Sequence, residues 1–354
     1  MTEWLMKEMK KISLIEKYAI PTENNFFKLD ANENLVLDRN YLTEISLDSL
    51  KKIDLRKYPI ELYERLYEKL SDYLKINVKS LVLGSGSDQI IDLLLTLIGT
   101  GRRLTSIYPT FSYFKTRCKL HKIAFSELML SPINNSLDTE KFIKDARKSH
   151  AVYLCSPNNP TGNQFDKSKI FDILSSLKNT LVIVDEAYVE FAKYSLIRNV
   201  KEYHNLVILR TFSKAFGLAG ARVGYMVANE ELADLFRNRI QLPYAVNSLS
   251  LAIAISLISK PKKIEKSISM IKDERDRLYQ NLSKIKNIHV YKSDANFLFI
   301  ICNTKYNQII QALENSKIIV KALGNINSYG KCLRITVGTK KVNNKILSVF
   351  KNIQ

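Results

Sequence analysis

Residues 181–217 read LVIVDEAYVEFAKYSLIRNVKEYHNLVILRTFSKAFG. Two short runs within them, Leu181–Val184 and Leu206–Leu209, are apolar at every position, and each stops at a cluster of reactive side chains. The first runs into Asp185-Glu-Ala-Tyr188 and the second into Thr211-Phe-Ser-Lys-Ala-Phe-Gly217. A strand that is apolar on both faces belongs inside a sheet covered on both sides by helices, because a half-solvated strand alternates. Outward from this stretch the pattern repeats. Ala151–Cys155 runs into Ser156-Pro-Asn-Asn-Pro-Thr-Gly162, and Val223–Ala228 follows Arg222. Lys167 to Leu177 has helical spacing, and so do Leu62, Leu66, Leu70, Tyr73 and Leu74 upstream. Gly84-Ser-Gly-Ser87 then interrupts, and Asp88 to Ile98 reads as a largely buried helix. Short buried strands alternating with helices predict the α/β class, with a mainly parallel sheet.

After about residue 240 the texture changes. A long helix (about 262 to 284) leads to Val290 and Phe297–Ile301, then a further helix, then Leu333–Val337. That predicts a smaller α+β domain. The expected division is an N-terminal helix and arm over 1–40, a large domain over 41–240 and a small domain over 241–354.

Composition narrows the function classes. The 354 residues carry 46% hydrophobic side chains, and only 11 Gly and 8 Pro, which excludes linker-rich and collagenous chains. The 54 Lys and Arg against 35 Asp and Glu leave a formal charge of +19. The basic clusters (Lys7 to Lys11, Lys260 to Lys266, Lys340 and Lys341) are short and scattered, and no finger, RNP or basic-zipper pattern accompanies them. A solvated basic surface without a nucleic-acid partner is expected. Cys118, Cys155, Cys302 and Cys332 form no C-x-x-C pair, which points away from zinc and disulfides and toward a cytoplasmic location. The charged N-terminus does not read as a signal peptide. The apolar stretch Leu249 to Ser259 falls short of the ~20 residues that cross a membrane, so no membrane partner is expected.

The Gly84-x-Gly86 turn is no dinucleotide fingerprint, since Gln89 stands where a third small residue belongs, and the chain has no G-x-x-x-x-G-K-[ST] loop. What survives is a loop whose free N–H groups open a helix at Ser87-Asp88, a natural seat for a phosphate; a plain strand-to-helix turn has the same sequence. Lys214 follows a buried strand, flanked by Thr211 and Ser213, with Arg222 eight residues on. A partly desolvated lysine there has a lowered pKa and can form a Schiff base with a carbonyl, with Thr211, Ser213 and Arg222 binding a dianion nearby. A lysine paired with an acid fits the same local pattern. Asp185 ends its apolar run either as a structural acid or as a carboxylate that keeps a pyridinium nitrogen protonated. Tyr188 and Asn159 are candidate donors to a phenolate oxygen. Together these are the needs of pyridoxal phosphate: a Schiff-base lysine, an acid at the ring nitrogen, donors at the ring oxygen and a phosphate cup.

The ordered set Asp30-Ala-Asn-Glu33, Tyr58-Pro59, Gly86-Ser-Asp88, Tyr108-Pro-Thr-Phe111, Ser156 to Gly162, Asp185 to Tyr188, Ser213-Lys214, Arg222 and Leu333-Arg-Ile-Thr-Val-Gly338 resembles the fold-type I aminotransferases. Within them it is most similar to the histidinol-phosphate aminotransferase-like subgroup. The resemblance implies that Lys214 carries the Schiff base, that Asp185 faces the pyridine nitrogen, and that Asn159 and Tyr188 contact the ring oxygen. It assigns the cofactor phosphate to Ser87, Asp88 (through its N–H), Thr211, Ser213 and Arg222, and ring stacking to Phe111. Tyr58 would reach the phosphate of a second subunit, implying a homodimer with shared sites. Arg334 would bind the substrate's anionic end, with Lys321 and Tyr18 directed at the same phosphate and Asn32 on the substrate side.

Three positions depart from the subgroup's pattern: Leu35 stands for a proline, Gly86-Ser-Asp-Gln89 for Gly-Ala-Asp-Glu, and Lys321 for an arginine, which keeps the charge but loses the bidentate fork. The implied reaction is transamination of a small phosphorylated amine with glutamate as donor. Histidinol phosphate is the default substrate, and a shorter phospho-ketone such as dihydroxyacetone phosphate, giving serinol phosphate, is the variant. Decarboxylation of a phospho-amino acid, as in the threonine-phosphate decarboxylases, is the alternative reaction.

Overall fold

The computed structural model describes residues 2–15 and 26–353. Helix α1 (Glu3–Ser13) and strand β1 (Phe27–Leu29) come first, followed by α2 (Arg39–Leu50) and α3 (Ile60–Leu74). An alternating stretch follows: β2 (Leu81–Gly84), α4 (Gly86–Ile98), β3 (Arg103–Tyr108), α5 (Ser112–Leu120), β4 (Ala124–Met129) and α6 (Thr139–Ala146). It continues through β5 (Ala151–Cys155), α7 (Lys167–Ser176), β6 (Leu181–Asp185), β7 (Leu206–Thr211), β8 (Gly224–Val227) and α8 (Glu230–Leu235). Helices α9 (Ser248–Ile258) and α10 (Lys262–Leu282) lead to β9 (His289–Val290), β10 (Phe297–Ile301) and α11 (Tyr306–Asn315). Strands β11 (Ile318–Ile326) and β12 (Gly330–Thr336) and helix α12 (Lys340–Lys351) close the chain.

Seven strands form one sheet in the order β2-β8-β7-β6-β5-β3-β4. The neighbours from β7 to β4 are parallel, and β8 runs antiparallel to both β7 and β2. The apolar runs read from the sequence are its centre: every residue of β5 and β7 is buried, as are four of the five in β6. From β3 the chain steps outward to β4 and then back past β3 to β5. Ligands of such sheets sit beyond the carboxyl ends of the strands, at a reversal of this kind.

The second sheet has the order β1-β11-β12-β10-β9, parallel only between β1 and β11. Its register sets Phe299 and Lys321 on either side of Arg334, and Phe297 beside Thr336. Residues directly opposite share a face.

Contacts cross both boundaries expected from sequence. β1 lies before residue 40 yet completes the smaller sheet, and α9 lies after residue 240 yet packs against α2 and α3. That double cover explains why α9 is apolar nearly all round, with eight of its residues buried. Asn34 ties the same regions together. Its Nδ2 donates to Ala215 O (2.8 Å) and to Ser267 Oγ (3.0 Å) on α10, while its Oδ1 accepts the Val36 and Leu37 N–H groups.

Candidate active site

The large sheet builds one wall of a cleft of about 400 Å³, within the usual range for small-molecule sites. β7 ends at Thr211, whose Oγ1 accepts the Ser213 N–H at 3.1 Å and bonds Ser213 Oγ at 2.9 Å. That turn presents Lys214, whose Nζ donates to Ala31 O at 2.7 Å. Desolvation in the cleft, with the Arg334 guanidinium adding to it, pulls the Lys214 amine down to about 8. An amine so shifted has a usable free-base fraction near neutral pH.

Asp185 is the last residue of β6, in register with Cys155 on β5 and Leu209 on β7. It is buried. Its Oδ2 accepts the Tyr153 O–H at 2.8 Å and its Oδ1 accepts the Ala187 N–H at 3.0 Å. Burial pushes its carboxyl up to about 6 against those two hydrogen bonds. Three residues on, the Tyr188 hydroxyl accepts from Asn32 Nδ2 at 3.0 Å, and burial raises its phenol. Asn158 shapes the neighbouring turn, bonding Thr161 Oγ1 and Pro109 O, and so fixes Asn159 beside it.

An anion cradle lies at the start of α4. Gly86 has φ +73°, and a Cβ there would come within 2.5 Å of the Arg222 guanidinium. A Cβ on Gly224 would come within 2.3 Å of the Ser87 backbone nitrogen. Only glycine lets the start of β8 lie against this loop. Arg222 donates to Ser213 Oγ (3.3 Å), Ala219 O (3.2 Å) and Asp88 Oδ2 (2.9 Å). Asp88, expected to bind the phosphate through its N–H, also engages Arg222 through its carboxylate. Hydroxyls, a guanidinium and a helix N-terminus converge where a phosphate is best held. An amine, a buried carboxylate and this cradle around one cleft fit a phosphorylated pyridine aldehyde.

The smaller sheet supplies the opposite wall. Arg334 is buried, donates from Nη1 to Asn159 Oδ1 at 2.5 Å and from Nη2 to Asp30 O, and lies 5.3 Å over the Phe297 ring. Asn32 takes a left-handed conformation (φ 56°) and exchanges hydrogen bonds with Thr336 at 3.0 and 3.2 Å.

The cleft brings together Asn32, Ser87, Asp88, Phe111, Asn159, Asp185, Tyr188, Thr211, Ser213, Lys214, Arg222 and Arg334. Tyr58 and Lys321 are not among its lining residues. Tyr58 is 76% exposed and stacks on Tyr244 at 4.8 Å, and Lys321 is the cross-strand neighbour of Arg334. Tyr18 lies outside the described residues. Sequence reasoning missed Glu33, Tyr113 and Cys155, which also line the cleft, and Tyr153 beneath Asp185. Glu33 stood within an already quoted motif, and Tyr153 is the one polar-tipped side chain in an otherwise apolar strand.

The family described as aminotransferase class I and II matches residues 24–350. A histidinol-phosphate aminotransferase from Pyrococcus furiosus is 33% identical over 342 residues, covering 97% of this chain and 96% of that one. The structure of the histidinol-phosphate aminotransferase from Clostridium acetobutylicum superposes with a TM-score of 0.84 at 27% identity, over 92% of this chain and 98% of that one. That from Sinorhizobium meliloti, in complex with pyridoxal-5'-phosphate, superposes with a TM-score of 0.83 at 21% identity, over 92% of this chain and 90% of that one. With nearly its whole length matched and the cleft's donor set in place, the chain belongs to the class I and II aminotransferases, as a pyridoxal-phosphate-dependent enzyme of fold type I.

Proposed function

We propose that the enzyme exchanges an amino group between a small phosphorylated amine of the histidinol-phosphate type and 2-oxoglutarate. The observation that carries this reading is the pairing, in one cleft, of a Lys214 amine lowered to about 8 with the buried Arg334 on the facing wall. The names of relatives at about a third identity support the phosphorylated substrate, and they support decarboxylation less.

Bound in the cleft, pyridoxal phosphate would supply an electron sink that eases loss of a proton from the substrate carbon. The chain's own residues do the rest. Lys214, near neutrality, takes that proton and returns it as general base and acid. Asp185 would face the ring nitrogen and hold a proton there. The Asn159 Oδ1 is engaged by Arg334, which leaves its Nδ2 as the donor to the ring oxygen. Tyr188 accepts from Asn32, which leaves its own O–H to donate there too. Phe111 would cover the ring face, and Ser87, Asp88, Thr211, Ser213 and Arg222 would hold the phosphate. Arg334 binds the substrate's phosphate, with Lys321 beside it on the same face.

The working unit in this reading is a homodimer in the cytoplasm. Tyr58, Leu55, Ile60 and Leu242, each more than half exposed, favour an interface around the Tyr58–Tyr244 stack. The four free, buried cysteines suit a reducing compartment. Mixing Lys214→Ala subunits with Tyr58→Phe subunits should restore activity above the additive expectation, and an active monomer would reject sharing. For the reaction itself, histidinol phosphate and shorter phosphorylated amines are supplied with 2-oxoglutarate and glutamate is measured. Carbon dioxide released from a phospho-amino acid without glutamate formation would overturn the reading.

A further inference from the structure

Tyr153 is the third residue of β5, set among Ala151, Val152 and Leu154 and fully buried. Its ring stacks on Phe114 with 3.8 Å between centroids and 16° between planes. A phenylalanine would fill that place equally well. A buried phenol needs a partner, and the one it has is a carboxylate the reaction uses: its O–H donates to Asp185 Oδ2 at 2.8 Å. With the Ala187 N–H on Oδ1, each carboxylate oxygen then receives one hydrogen bond from the protein.

We infer that Tyr153 is a positioning residue for Asp185: its phenol fixes the carboxylate and favours its ionised form, so that a charged acid meets the cofactor's ring nitrogen. This rests on the reading that Asp185 faces that nitrogen. Burial alone works in the opposite direction, toward a neutral carboxyl. The Ala187 N–H favours the ionised form of Asp185 from Oδ1, as Tyr153 does from Oδ2, but it belongs to the backbone and is common to any side chain at 187. Lys214, from the turn after β7, favours its ionised form, and Asp88, from the start of α4, opposes it. Cys155 on β5 and Tyr188 on the following turn are pushed up by burial and stay neutral near pH 7. Tyr153 is the side chain that donates a hydrogen bond to the carboxylate.

The test uses the holoenzyme with aspartate labelled at its side-chain carboxyl carbon and cofactor labelled at its ring nitrogen. The carboxyl resonance missing from Asp185→Asn identifies Asp185. Removing one hydrogen bond to a charged group should raise its midpoint in Tyr153→Phe by about one to two pH units. The acid limb of kcat should move upward with it, while KM stays near wild type and the melting temperature falls by only a few degrees because the Phe114 stack is kept. A site-specific fluorotyrosine at 153 is a stronger donor and should move the midpoint down, a test that does not depend on the phenylalanine variant folding. An unchanged Asp185 midpoint in both variants would overturn the inference and leave Tyr153 as filling alone. If Asp185→Asn leaves the ring-nitrogen resonance where it was, the role of Asp185 itself falls and the inference falls with it. A changed ring-nitrogen resonance in Asp185→Asn beside wild-type titration in Tyr153→Phe removes only the role of Tyr153 and leaves that of Asp185 standing.

Discussion

Asn159, Asp185 and Lys214 reach the cleft within a few residues of the carboxyl ends of β5, β6 and β7, whereas Arg334 and Asn32 reach it from the smaller sheet and the segment after β1. On the first wall, position follows from the register of adjacent buried strands, which sets Cys155, Asp185 and Leu209 side by side. On the second wall, position follows from contacts between distant parts of the chain: Asn32 is fixed by Thr336, 304 residues away. In the proposed function the large-sheet wall carries the cofactor chemistry, and the smaller sheet carries Arg334, the group assigned to the substrate's anionic end. Substitutions on the first wall should therefore act on every substrate alike, and those on the second should act according to the substrate's charge.

The strongest test of the first wall is Lys214→Ala. Loss of the proton-transferring amine should abolish turnover, a fall of at least about 10⁴-fold in kcat for any substrate. The fold should survive, because among the described residues the amine makes one hydrogen bond, to Ala31 O. Circular dichroism alongside single-turnover assays checks both halves, and retention of a few per cent of activity contradicts the assignment.

Arg334→Ala probes the second wall. A charge-assisted contact to phosphate is worth roughly 1.5–3 kcal/mol, so kcat/KM for a phosphorylated amine should fall on the order of 10- to 150-fold. The dephosphorylated analogue should lose far less. Equal losses for the two would mean that Arg334 acts only by holding Asn159, and the proposed substrate class would go with it.

Gly224→Ala returns to the first wall with a smaller effect. The added methyl meets backbone atoms of Gly86 and Ser87, which have no rotamer to give way, so the cost should be about 1–3 kcal/mol. A lowered melting temperature with faster loss of cofactor is the expected pair of observations. Smallest of all is Lys321→Arg. It keeps the charge across from Arg334 and adds a planar fork, so kcat/KM for the phosphorylated substrate should stay within about threefold or improve.

The contrast between the walls also explains what the sequence revealed. Ala151–Cys155 is a strand as read, and β6 and β7 run one and two residues beyond their apolar runs, because buried parallel strands write themselves as contiguous apolar residues. β3 and β4 did not, since Thr105, Ser106, Ser126 and Glu127 interrupt them near the sheet edge. Strand β1 has three residues and exists through its pairing with Ile318–Val320, which no local pattern announces. The site divides the same way. Asn159, Asp185, Tyr188 and Lys214 stood in compact motifs beside strands. The phenol of Tyr153 under Asp185, the place of Asn32 against Tyr188, and the Arg334–Asn159 contact all depend on which strands become neighbours.

Asn34 has a consequence for how the molecule comes apart. Its amide engages the segment after β1, the loop after Lys214 and helix α10 at once, across separations of 181 and 233 residues. Opening either sheet away from the other strands a buried amide without partners, so partial opening is penalised at the same point from both sides. This contact favours joint opening of the two sheets, and melting followed by probes on either one is expected to trace the same curve. A single side chain in the segment after β1 thus makes the docking of α10 a condition for the stability of the turn that holds Lys214.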